Sequence, residues 1–232
     1  MPQQQTPTPA AAPAKPKPPV PPTEFQEGEI AKMSAAELIA IIKDPSASEF
    51  KKAKACVRAG ESGSKEAVPA LAALLSDEHL NVYARYGLEP INDPSVDDAL
   101  RSALTRLKGN LQIGVINSIN KRRDAKASPM LVKMIYGSDQ AVAQAAAAAL
   151  GSIGGVANMK ELKTALGKTS GLTRLAVGDA SLVCAERLLA DGKRAEALEF
   201  YAFLGAPDVP KAVRLAAMNG IIREETSPNR PR

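Results

Sequence analysis

At 232 residues, the chain is long enough for one domain of ordinary size with tails. Its 45% apolar content includes only 3% aromatics and no tryptophan, so the core is expected to be aliphatic and helical rather than built from strands. Thirty cations against 25 anions, two cysteines (Cys56 and Cys184) and one histidine (His79) argue against a dedicated nucleic-acid binder, a disulfide framework and a clustered His/Cys metal site.

The chain begins MPQQQTPTPAAAPAKPKPPVPP, with nine prolines in the first 22 positions. Such a segment buries too little apolar surface to fold. Residues 1–28 are therefore expected to form an extended, disordered tail or linker. The PxxP spacings Pro13 to Pro16 and Pro18 to Pro21 fit a spacer or a ligand for a Pro-binding domain. There is no apolar signal segment, and no run reaches the ~18 apolar residues of a membrane span. Read as it stands, the chain is expected in the cytoplasm. A Pro/Ala/Lys linker also commonly follows an export signal or anchor, which leaves an exported or cell-envelope location open if the start lies upstream.

From residue 29 to 225 the sequence repeats. AAELIAII (35–42), VPALAALL (68–75), DDALRSAL (97–104), SPMLVKMI (128–135) and MKELKTAL (159–166) each carry an aliphatic residue at the fourth and eighth positions. Those positions share one helical face. The fourth-position leucines are Leu38, Leu71, Leu100, Leu131 and Leu162, and a sixth unit places Leu198 in AEALEFYA (195–202). Turns rich in Gly, Pro, Asp and Ser follow, and second helices are expected to start near Ser48, Asn81, Leu111, Gln140, Leu172 and Val209. Two helices in about 30 residues predict an all-α fold, a right-handed α-solenoid of about six antiparallel helix pairs. Cys56 and Cys184 would then lie in the first and fifth units, roughly 30–40 Å apart at ~8–10 Å per helix, too far for a disulfide. The last seven residues, 226–232, are expected to be a second tail.

The stretch AVAQAAAAALGSIGG (141–155) is the most distinctive. Its alanines predict a helix apolar nearly all round, and therefore buried among several neighbours. Gly154-Gly155 is expected to end that helix through the left-handed conformation. A phosphate-binding loop does not fit, because the glycines follow a helix and no Gly-Lys-Ser/Thr is present.

Val142 to Gly154, with its run of alanines and Ala-Leu-Gly-Ser-Ile-Gly, resembles the second helix of HEAT repeats, in particular the bacterial HEAT-like type named after phycobilisome lyases. Ala143 stands where that family carries arginine. The resemblance extends loosely over residues 34–190. Residues 182–204 are similar to a tetratricopeptide repeat, so 178–225 is a unit of that second type by resemblance. Both families mostly bind other proteins. The resemblance therefore implies a non-enzymatic scaffold or adaptor with a protein partner and no cofactor, mechanistically a concave face lined by second helices. A nucleic-acid-binding HEAT protein of glycosylase type and a HEAT-type lyase are the alternatives. Polar residues on otherwise apolar second helices are the candidate contacts: Arg85, Asn117, Gln144, Arg174 and Arg214. The basic cluster Lys121, Arg122 and Arg123 joins them as a charged patch expected to be exposed. His79 reads as a solvated turn residue and Cys184 as a core thiol. Lys52 and Lys54 near Cys56 raise the option of a lowered thiol pKa there.

Overall fold

The repeat of apolar positions becomes helix pairs joined by short turns in the computed structural model, which describes residues 28–226. The expectations for the proline-rich segment and for residues 227–232 fall outside the described residues. The first helices of the pairs are α1 (Ala35–Lys43), α3 (Val68–Ala73), α5 (Pro94–Arg106), α7 (Ser128–Ile135), α9 (Gly155–Lys168) and α11 (Arg194–Leu204). The second helices are α2 (Glu49–Glu61), α4 (Asn81–Leu88), α6 (Gly109–Arg122), α8 (Gln140–Ile153), α10 (Gly171–Ala190) and α12 (Lys211–Thr226). These twelve α-helices and a few short 3-10 turns make up the secondary structure of the described residues.

Local chemistry sets the boundaries. Ser34 and Glu37 form a reciprocal capping box at α1, the Ser34 backbone N–H donating to the Glu37 carboxylate at 2.7 Å. Ser48 caps α2, Asp93 caps α5 ahead of Pro94, and Asp139 accepts from the Ala141 and Val142 amides to start α8. Gly154 ends α8 at φ +73°, and Gly155 follows at +86°, a backbone region that favours glycine.

Packing follows chain order. Each first helix lies on its own second helix, and the second helices touch in the series α2, α4, α6, α8, α10, α12. Residue 60 meets 87, 85 meets 114 and 151 meets 180, while Glu89 accepts from Ser118. Residues 85 and 89 at the α4 end meet 114 and 118 of α6 at the same offset, so these second helices run parallel, and the offsets of nearly one repeat at the other crossings fit the same arrangement, with each first helix returning the chain. Glycine allows the close approaches: a Cβ on Gly60 would lie 2.5 Å from the Gly87 carbonyl oxygen, and one on Gly151 would collide with the Ala180 carbonyl. This serial pairing is the α-solenoid that the repeat predicts.

The leading leucines Leu38, Leu71, Leu100, Leu131 and Leu162 are fully buried, and their partners four residues on are buried as well. Two expectations change. Leu198 is only half-buried, and Ala197, Phe200, Tyr201 and Leu204 form the buried face of α11. The sixth unit is therefore set one residue earlier than the leucine pattern places it, because large aromatics take over the anchoring. Within the alanine run, Ala146, Ala147 and Ala149 are buried, but Ala148 faces solvent. α8 thus keeps one open stripe, as do the other second helices of the stack.

Candidate protein-binding face

That open stripe repeats from unit to unit, so the outward sides of the second helices form one continuous surface. Ten large apolar side chains are exposed among the described residues, and eight of them stand on second helices: Tyr83 and Tyr86 on α4, Leu172, Leu175 and Val183 on α10, Leu215, Met218 and Ile222 on α12. The other two are Tyr136, at the end of α7, and Phe203 on α11, whose ring is covered by the Lys163 ammonium at 5.3 Å. At the α2 end the surface dips into an open groove of about 370 Å³, lined by Ile30, Phe50, Lys54, Val57, Arg58 and Tyr83.

The polar candidates divide into two groups. Asn117 is exposed on α6, and Gln144 is half-buried on α8. Arg85 on α4 lays its guanidinium over Gly114 of α6, and its buried Nε has no hydrogen-bond partner. These three lie along the α4–α6–α8 stretch. Arg174 donates to the Asp208 carbonyl at 2.7 Å, and Arg214 donates to the Pro207 carbonyl at 2.9 Å. Both arginines therefore hold the α11–α12 connection.

The basic cluster is not three free charges. Lys121 pairs with Glu89 at 2.8 Å, which pushes its ammonium pKa up. Arg122 has a side chain only 12% exposed; it pairs with Asp97 at 2.5 Å and donates to the Glu89 and Ile91 carbonyls at 2.9 and 2.8 Å. It clamps the α4–α5 connection to α6. Arg123 alone is open, held at φ +54° as the residue that ends α6. Arg122→Ala is expected to cost about 1–3 kcal/mol, because it strands a half-buried carboxylate and two carbonyls. Arg123→Gly is expected to stabilise by about 0.5–1 kcal/mol by relieving the left-handed backbone. Urea unfolding of the two variants checks both signs.

Both cysteines are fully buried and unpaired. Burial pushes each thiol pKa up to about 12, and at Cys56 this outweighs the opposing pull of Lys52. The lowered pKa considered for Cys56 is therefore corrected: a dry helix interface dominates over a solvated lysine. Since the folded value lies above the ordinary 9.0, the thiols' contribution to stability is present below pH 9.0 and is lost as pH rises towards 12. A thiol reagent at pH 8 is expected to label neither cysteine in the native chain and both in denaturant. His79 is exposed, 3.9 Å from Glu49.

Helix pairs in series and stacked second helices define an all-helical repeat protein of α-solenoid architecture. No family model matches the chain, and no curated protein matches it. Among solved structures it is similar to the complex of CpcE and CpcF of phycocyanin lyase from Nostoc sp. PCC7120, at 17% identity and a TM-score of 0.41, covering 81% of each chain. It is also similar to human deoxyhypusine hydroxylase in complex with glycerol, at 16% identity and a TM-score of 0.33, covering 83% of this chain and 85% of that one. The expectation that the protein is not an enzyme is corrected on this finding, since both similar structures are of proteins named for an enzymatic activity. At these values the likeness concerns the fold and carries neither activity over.

Sequence reasoning passed over the exposed apolar residues, because Leu and Tyr on an amphipathic helix read as core. A signal was present in α10: Leu172, Leu175 and Val183 fall opposite the buried face of Val177, Ala180, Cys184 and Leu188. Two apolar faces on one helix leave one without a partner inside the chain.

Proposed function

We propose that the chain binds another protein across the outward surface of its second helices. The observation that supports this reading is the distribution of exposed apolar side chains, eight of ten on that one layer. Scattered surface hydrophobics are ordinary, but their concentration on one side marks an interaction surface. Tyr83 and Tyr86 supply aromatic anchors of the kind that dominate binding energy, with Asn117, Lys121 and Gln144 as polar contacts between them and α10. No helix among the described residues is long and apolar enough to cross a membrane.

The test uses the full chain as bait and identifies what it retains. A Tyr86→Asp, Leu175→Asp double variant is expected to lose the partner while melting as the wild type does, since both positions are exposed. A Lys160→Asp, Thr164→Asp variant on the other layer is expected to keep it. Retention by the first variant, or loss by the second alone, overturns this assignment of the face. The nucleic-acid alternative is separated by titrating a short duplex: affinity no tighter than roughly 1–100 μM at physiological salt is expected. Two of the three clustered cations are already neutralised within the chain.

A further inference from the structure

The last helix stands at an end of the stack. Each second helix from α4 to α10 has a second helix on both sides, whereas α12 packs mainly on α10 and α11, with no second helix beyond it among the described residues. Its buried face is Val213, Ala217 and Gly220, with Val213 against Gly178 and Gly220 against the Tyr201 ring. On the opposite side Leu215, Met218 and Ile222 are 49%, 49% and 55% exposed. Lys211 and Glu225 extend the same stripe at either end, so that 211, 215, 218, 222 and 225 alternate steps of four and three along one face. The stripe reads positive, apolar, apolar, apolar, negative.

The neighbouring charges are already used. Arg223 pairs with Glu186, Arg194 pairs with Glu224 at 3.1 Å, and Arg214 holds the Pro207 carbonyl. Lys211 and Glu225 form no ion pair among the described residues, and each stands seven residues from Met218.

We propose that this face docks a second copy of the same chain, α12 against α12 in antiparallel fashion about a two-fold axis through Met218. The arrangement follows from the symmetry of the stripe. With Met218 on the axis, Leu215 meets the partner's Ile222, and Lys211 meets the partner's Glu225, twice over by symmetry. A two-fold contact requires a self-complementary surface. A stripe with one charge sign at each end and apolar residues between is self-complementary only when the second helix runs the opposite way. Ala212, Ala216 and Asn219 flank the stripe and are small enough to let the helix axes approach to about 8–10 Å. One helix pair buries less than a standard interface, so the dimer is expected at the weak end, on the order of 10 μM. Self-docking takes the α12 residues out of the proposed partner surface, which then rests on Tyr83, Tyr86, Leu172, Leu175 and Val183 of α4 and α10, and either reading can fail alone.

The test is sedimentation velocity on the full chain between about 1 and about 200 μM, a range that brackets that affinity. The wild type is expected to pass from monomer to dimer. Met218→Glu is expected to remain monomeric with an unchanged melting temperature. Lys211→Glu and Glu225→Lys each bring like charges together and are expected to weaken self-association about tenfold or more. Neither should harm the fold, since each puts its new charge at the helix end that favours it. Mixed together, these two variants are expected to form a heterodimer, and the double variant Lys211→Glu, Glu225→Lys to recover self-association. A monomeric wild type across the range overturns the proposal and assigns the stripe to a different protein or to further chain. A dimer indifferent to all three single changes overturns it equally. A dimer that loses affinity on charge reversal but shows no complementation in the mixture overturns the antiparallel pairing.

Discussion

Replacing Ala147 by aspartate is expected to abolish cooperative folding, or to lower stability by about 3–5 kcal/mol if the chain still folds. Ala147 is fully buried in α8, which touches α6, α7, α9 and α10. A carboxylate there has no water and no cation, and the methyl-sized site cannot hold it without parting the helices. Against a total stability of about 5–15 kcal/mol for an ordinary domain, that loss is large. Ala148→Asp is the matched control: one residue on, the side chain faces solvent, and a change within about 0.5 kcal/mol is expected. Thermal unfolding followed by circular dichroism distinguishes the two. Equal melting of Ala147→Asp and wild type would show that α8 does not sit at the centre of the stack.

The second large effect is expected at a glycine. Gly151→Val puts a Cβ onto the Ala180 carbonyl, where α8 crosses α10. Backbone cannot yield as a side-chain tip can, so the two helices must separate, at a cost of about 2–3 kcal/mol or more. Gly167→Ala, in α9, meets nothing within 4 Å and is expected to stabilise by about 0.5–1 kcal/mol through helix propensity alone. The opposite signs of two glycine substitutions in neighbouring helices, read from urea midpoints, test whether close crossings hold the second-helix layer together. If Gly151→Val leaves the midpoint where it was, that layer is looser than the crossing implies.

The helix pairs were legible in the sequence because their information is local. Leucine or isoleucine at the fourth and eighth positions of 35–42, 68–75, 97–104, 128–135 and 159–166 fixes which face of each first helix is buried, and Pro, Gly, Asp and Ser mark where each helix stops. The number of units and the burial of the alanine helix follow from the same short-range periodicity. Contacts between units are made by residues almost a whole repeat apart, and no periodicity states what meets what. Tertiary structure decided that Gly151 and Gly60 sit at crossings, that Tyr201 and Phe200 rather than Leu198 anchor the sixth unit, and that Arg122, Arg174 and Arg214 hold backbone carbonyls of their own chain. An arginine on an apolar helix has the same sequence signature whether it reaches outwards or folds back on a loop. Composition and periodicity by themselves determined a stack of helix pairs with an aliphatic core. Only the packed chain decided which apolar side chains were left over on the second helices, because surplus apolar surface exists only once every internal contact has been made.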